Sequence, residues 1–152
     1  MSLQTVKYGA YALLLLLVGA ASAKAGDVRE LLGRIPGDAN ALVVIDVDKL
    51  LNSPLGRKEG WKQKLDDAFE NKPMVVLPGT KRVAMAALLD PSSGESIWEV
   101  SVMEIDIAPV IKDIAKAEKG YVDKLGDKPA AWSPINAYFV QLEPNMMGVV
   151  CP

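Results

Sequence analysis

The chain of 152 residues contains no histidine, and that absence removes more chemistry than any residue present suggests. Without imidazole there is no Ser-His-Asp or Cys-His nucleophile system, and ordinary zinc sites, which draw on histidine and cysteine, go with it. Cysteine is almost as scarce. Cys151 stands alone one residue from the end, so no disulfide forms within the chain, and its thiol either pairs with another molecule or stays free. Basic residues do not outnumber acidic ones, 17 against 19, and a net charge of −2 gives no footprint for nucleic acid. "LPGTKR" and "GRKEG" lack the spacing and the strand-to-helix setting of a phosphate loop. No Ser-x-x-Lys follows residue 23. These absences predict a protein that is not an enzyme and imply no cofactor.

Long apolar runs are also missing, with one informative exception. "YGAYALLLLLVGAASA" (8–23) is uncharged and follows the terminal amine and Lys7. It is shorter than the roughly 18–20 apolar residues that span a bilayer, and it ends in Ala21-Ser22-Ala23, the small-x-small pattern that signal peptidase reads. Residues 1–23 are therefore expected to be a secretory signal peptide cleaved after Ala23, with Ala23-Lys24-Ala25 as a second site. Retention of residues 8–23 as a membrane anchor is the competing reading, and the only expected route to a membrane. No cysteine follows the cleavage site, which excludes a lipoprotein anchor there. Cleavage removes Lys7 and no other charged side chain, so the net charge moves from −2 to −3. The expected location is the periplasm or the extracellular space. Half of the residues are hydrophobic, enough for a folded domain with a modest core.

Periodicity supplies the elements. "DVRELLGRIPGDAN" reads as a short helix ended by Gly33 and Pro36, and "ALVVIDV" (41–47) as a strand buried on both faces. Ser53 and Pro54 look like the N-cap and first residue of a helix running to about residue 70, with Gly60 inside it. "RVAMAALLD" and "SIWEVSVMEID" flank "PSSGE" as a hairpin. "DIAPVIKDIAKAEKG" places Ile107, Val110, Ile111, Ile114 and Ala115 on one helical stripe, with Asp106 as N-cap and Gly120 as stop. Four short strands follow, "YVDKL", "AAW", "AYFVQL" and "MMGVV".

Strand, helix, strand, strand, helix, strand is the order of a ferredoxin-like βαββαβ sandwich, an α+β fold. On that basis residues 24–133 form the domain and residues 134–152 are extra strands. "PGDANALVVIDV" and "SPINAYFVQLEP" share Pro, a short spacer, Asn-Ala and an apolar strand. The echo suggests that residues 134–152 begin a second, duplicated half.

Two sites are candidates. In "DANALVVIDVDKLLNSP" Asp46 and Asp48 would share one strand face and could share a calcium ion, which is the cation-sensing alternative. The positions that a calcium loop fills with oxygen, glycine and glutamate are here Leu50, Leu51 and Arg57. The structural reading is a strand end, with Asp48 starting a turn. The second candidate is a sheet-face binding patch made by Trp98, Tyr138 and Phe139, which would take an unknown protein partner or a second copy. Trp61, Trp132 and Tyr121 could contribute, or all six aromatics could pack a core.

At "IPGDANALVVIDVDKLLNSPLGRKEGW" and "WSPINAYFVQL" the chain resembles uncharacterised exported proteins of planctomycete bacteria. These carry a signal peptide, a Pro-x-x-Ala-Asn-Ala strand and a Leu-Leu-x-Ser-Pro-Leu-Gly helix start. The resemblance implies an exported α+β protein, and it supplies neither an activity nor a functional residue.

Overall fold

Antiparallel pairing runs without a break through seven strands in the computed structural model, which describes residues 25–71, 76–106 and 110–151. In chain order the elements are α1 (Ala25–Leu32), β1 (Ala41–Asp46), α2 (Val47–Asn52), α3 (Pro54–Lys58), α4 (Trp61–Asn71), β2 (Thr80–Leu89) and β3 (Ser96–Ile105). They continue with α5 (Ile111–Ala117), β4 (Tyr121–Leu125), β5 (Lys128–Ser133), β6 (Ala137–Glu143) and β7 (Met146–Cys151). The sheet order is β1-β2-β3-β7-β6-β5-β4. The signal segment 1–23 and its cleavage site at Ala23 lie outside the described residues. No helix among the described residues is long and apolar enough to cross a membrane.

The class is α+β, and the strand order departs from the ferredoxin-like expectation. A split βαβ unit sets its first two strands parallel with a third between them. Here β1 and β2 are neighbours and antiparallel, from Ala41 opposite Ala87 to Asp46 opposite Arg82. The connection explains the difference. A single long helix would carry the chain back along the sheet and start the next strand parallel to the first. Instead the expected helix 54–70 is broken at Glu59 and Gly60, the glycine at φ 63°, into α3 and α4. The chain returns at the end where β1 finished.

Residues 137–151 are not an appendage to this sheet. β7 is its central strand, between β3 and β6. The echo between residues 36–47 and 133–144 ends with the strands themselves, because β1 leads into a helix and β6 turns directly into β7.

Each face of the sheet has its own core. On one, Val83, Met103, Phe139, Met147 and Val149 pack with Ile111 and Ile114 of α5, and with Val47, Leu51 and Phe69 from the helices after β1. On the other, Leu31 and Leu32 of α1 and the following Ile35 cover Ala84, Val102, Met146 and Leu142.

Two local expectations change. β1 stops at Asp46, so Val47 and Asp48 belong to α2. α5 starts at Ile111, and its cap residue Val110 has no side-chain cap bond. Residues 107–109, which include Pro109, lie outside the described set, and Asp106 pairs with Lys81 at 2.5 Å. At the other end the left-handed residue is Lys119 (φ 58°) rather than Gly120. Gly120 N–H donates to Ala115 O at 2.8 Å and Lys119 N–H to Lys116 O at 3.1 Å, the bond pair of a Schellman motif.

Candidate binding face

Side chains opposite one another in antiparallel strands point to the same face, so the registers define rows across the sheet. One row runs Leu42, Ala86, Val100, Val150, Tyr138, Trp132, Tyr121, one residue from each strand. It contains no charge. Trp98, two residues along β3 from Val100, shares the face opposite Leu88. The α1 core lies on the same face one step along the strands, at Ala84 and Val102, so the helix leaves this row outside its core. The row's ends are open, with Leu42 and Tyr121 each 52% exposed. Val100, Val150, Tyr138, Trp132 and Trp98 are half-buried.

The aromatic end of the row is preorganised. Tyr121 and Trp132 stack with centroids 5.0 Å apart and planes 24° apart. Each ring spends one face on the other, which leaves the outer face of each outside the stack. The phenol of Tyr121 is pushed above its ordinary value by local desolvation, by Tyr138 and by Asp123. It stays a neutral hydroxyl across physiological pH.

Trp98 and Tyr138 therefore fall on one face as expected, and Phe139 does not. Phe139 is fully buried in the α5 core on the opposite side. Adjacent residues of a strand alternate faces, so the period of two already separated 138 from 139. Sequence reasoning missed Leu42 and Val150, whose membership depends on register between distant strands. It also read β1 as buried on both faces. β1 is an edge strand, and Leu42, Val43 and Val44 are 52%, 40% and 37% exposed.

The two carboxylates part company. Asp46 caps α2: its Oδ1 accepts from Lys49 N–H at 2.9 Å, and its Oδ2 pairs with Lys49 Nζ at 2.7 Å. Partial burial pushes its carboxyl up, but the bonds from Lys49 and the charges of Lys49 and Arg82 outweigh that and hold it below its ordinary value. Asp48 is exposed in the first turn of α2. The pair does not share a strand face, and both oxygens of Asp46 are already used. Among the described residues no group of three or more His, Cys, Asp or Glu could hold a metal ion.

An open cleft of about 600 Å³ lies between α2–α4 and the start of β2, lined by Asp48, Arg57, Lys62, Asp66, Thr80 and Asp106 among others. Three of its charges are paired: Lys62 with Asp66 at 2.9 Å, and Asp106 with Lys81, which lies outside the lining. Beside it, the Leu-Leu-x-Ser-Pro-Leu-Gly stretch proves to be a helix corner. Ser53 Oγ donates to Leu50 O at 2.7 Å and accepts from Gly56 N–H at 2.9 Å, joining α2 to α3. A β-carbon at Gly56 would sit 2.5 Å from Leu50 O. The motif is architectural.

Cys151 faces the α5 side opposite Glu99. Burial, with Glu99 beside it, pushes its thiol up, and a protonated thiol is a poor nucleophile.

Comparison with known proteins adds no relative: no family model matches the chain, and no curated protein or solved structure matches it.

Proposed function

We propose that the chain is an exported, non-catalytic domain that binds another protein, one presenting an apolar surface, through the row from Leu42 to Tyr121. The observation that carries the reading is an uncharged line of side chains crossing all seven strands outside the helix core on its face. Leu42 and Tyr121 at its ends are open, Ala86 is buried and the other four residues are half-buried, and apolar side chains left open outside a core mark interaction sites. The net negative charge argues against nucleic acid. Export rests on the pattern of residues 1–23 and on the resemblance to exported planctomycete proteins.

A photo-crosslinking residue placed at Trp98 or at Tyr138 in the full chain, inside the exporting cell, tests the reading. One discrete adduct from both positions is expected, absent from position 124 on the charged edge strand and lost when Val150→Glu puts a charge in mid-row. No adduct, or the same adduct from position 124, overturns it. N-terminal sequencing of the recovered protein tests cleavage after Ala23 in the same preparation.

A further inference from the structure

Tyrosine is scarce. Four occur in the chain, at 8, 11, 121 and 138, so the described residues hold two. Both of those stand in the uncharged row, on either side of Trp132, which faces Tyr121 on β4 and Tyr138 on β6. Two strand spacings separate their backbones, about 9.5 Å, a gap that two phenol side chains leaning toward one another close. The stack on Trp132 fixes the ring of Tyr121. Its hydroxyl meets that of Tyr138, and hydrogen bonding with Tyr138 is one of the causes that push the Tyr121 phenol up. Tyr121 is exposed and Tyr138 half-buried, so an oxidant in solution reaches the pair.

We propose that Tyr121 and Tyr138 are the two ends of an oxidative cross-link, a dityrosine made by a haem peroxidase with hydrogen peroxide, which ties β4 to β6 across β5. Each phenol gives up one electron and one proton and becomes a phenoxyl radical. The peroxide takes both electrons and both protons and leaves as two waters. The radicals join through their ortho carbons in one new carbon–carbon bond. Each ring then passes its displaced ortho hydrogen to its oxygen and regains a hydroxyl, so the product is lighter by two hydrogen atoms. The place suits a tie. β4 is an outer strand held to the sheet by β5 alone, and a chain with one cysteine has no internal disulfide to secure it. A covalent link there restricts the unfolded chain as a disulfide does. A tyrosine of another molecule competes only at the bulk protein concentration, whereas the phenol held in the same sheet acts at about 1 mM or more. The inference stands whether or not a partner binds the row, because one chain alone carries both rings.

The test treats the full chain, in the form the expressing cell yields and at about 1 µM, with a haem peroxidase and limiting hydrogen peroxide. The expected product is a monomer lighter by two hydrogen atoms, with the blue fluorescence of dityrosine. Trypsin should release from it a branched peptide that joins residues 120–124 to the peptide carrying Tyr138. Tyr121→Phe and Tyr138→Phe keep a ring at each place and should melt close to the wild type, and each should lose the branched peptide completely. The linked monomer should melt at a higher temperature than the untreated protein. Absence of the branched peptide overturns the proposal, as do links that join separate chains only. So does an intrachain link that survives in either variant, or a linked monomer that melts no higher than before.

Discussion

A β-carbon at Gly120 would lie 1.6 Å from the carbonyl oxygen of Trp132. Here the chain leaving α5 presses backbone to backbone against β5, and one residue later β4 begins alongside it. The contact sets where Tyr121 starts its strand, and so sets the Tyr121–Trp132 stack at the end of the proposed binding row.

Gly120→Ala is accordingly expected to cost at least about 3 kcal/mol, the upper range for overpacking, because the obstructing atom is backbone and cannot rotate away. A urea melt checks this. An unchanged midpoint would mean that the two strands separate at little cost, and that the stack does not depend on them.

The neighbouring residue gives the opposite sign. Lys119 holds φ 58° in the Schellman turn, a conformation that costs an L-residue about 1–2 kcal/mol. Lys119→Gly removes that strain and adds freedom to the unfolded chain, for an expected net gain of about 0.5–1 kcal/mol in the same melt. If it destabilises, the lysine side chain holds something that the turn geometry does not require.

This pair shows what the sequence made legible and what it did not. Gly120 was readable as the end of a helix, since a glycine after an amphipathic stripe is a local signal. Its purpose is an approach to Trp132, twelve residues on, which local pattern does not carry. Ser53 and Pro54 were readable for the same local reason, and the cap bond from Gly56 N–H is there. β1 was misread because a β-branched apolar run is alike at a sheet's centre and at its edge. Only its neighbours distinguish the two, and they are set by the three helices between β1 and β2. The row from Leu42 to Tyr121 depends on six separate registers, so composition could name its aromatics without ordering them.

Ser101 offers a test of the α5 core. Its side chain is buried at 2% exposure beside Val149 and Met85, and its Oγ has no hydrogen-bond partner among the described residues. Burying an unsatisfied hydroxyl costs about 1–3 kcal/mol by mutational measure. Ser101→Ala is expected to raise stability by about 1 kcal/mol, read as a higher midpoint at unchanged slope. A loss of stability would point to a partner for the hydroxyl, such as a buried water.

Asp46 gives a prediction with a pH sign. Its carboxyl is held below the ordinary 3.8 in the folded chain, so its contribution is fully present above about pH 4 and is lost as pH falls through the depressed value. Asp46→Ala removes the cap of α2 and should cost about 1 kcal/mol at pH 7, a deficit that narrows below pH 4 as the wild-type carboxyl protonates. Asp46→Asn keeps an oxygen for Lys49 N–H and should lose only the exposed ion pair, a few tenths of a kcal/mol. Millimolar calcium should leave the wild-type midpoint where it is, because an ion bound here would have to displace the Lys49 ammonium at 2.7 Å. A calcium-dependent rise that vanishes in Asp46→Asn would reverse this assignment and make the α2 cap a cation site.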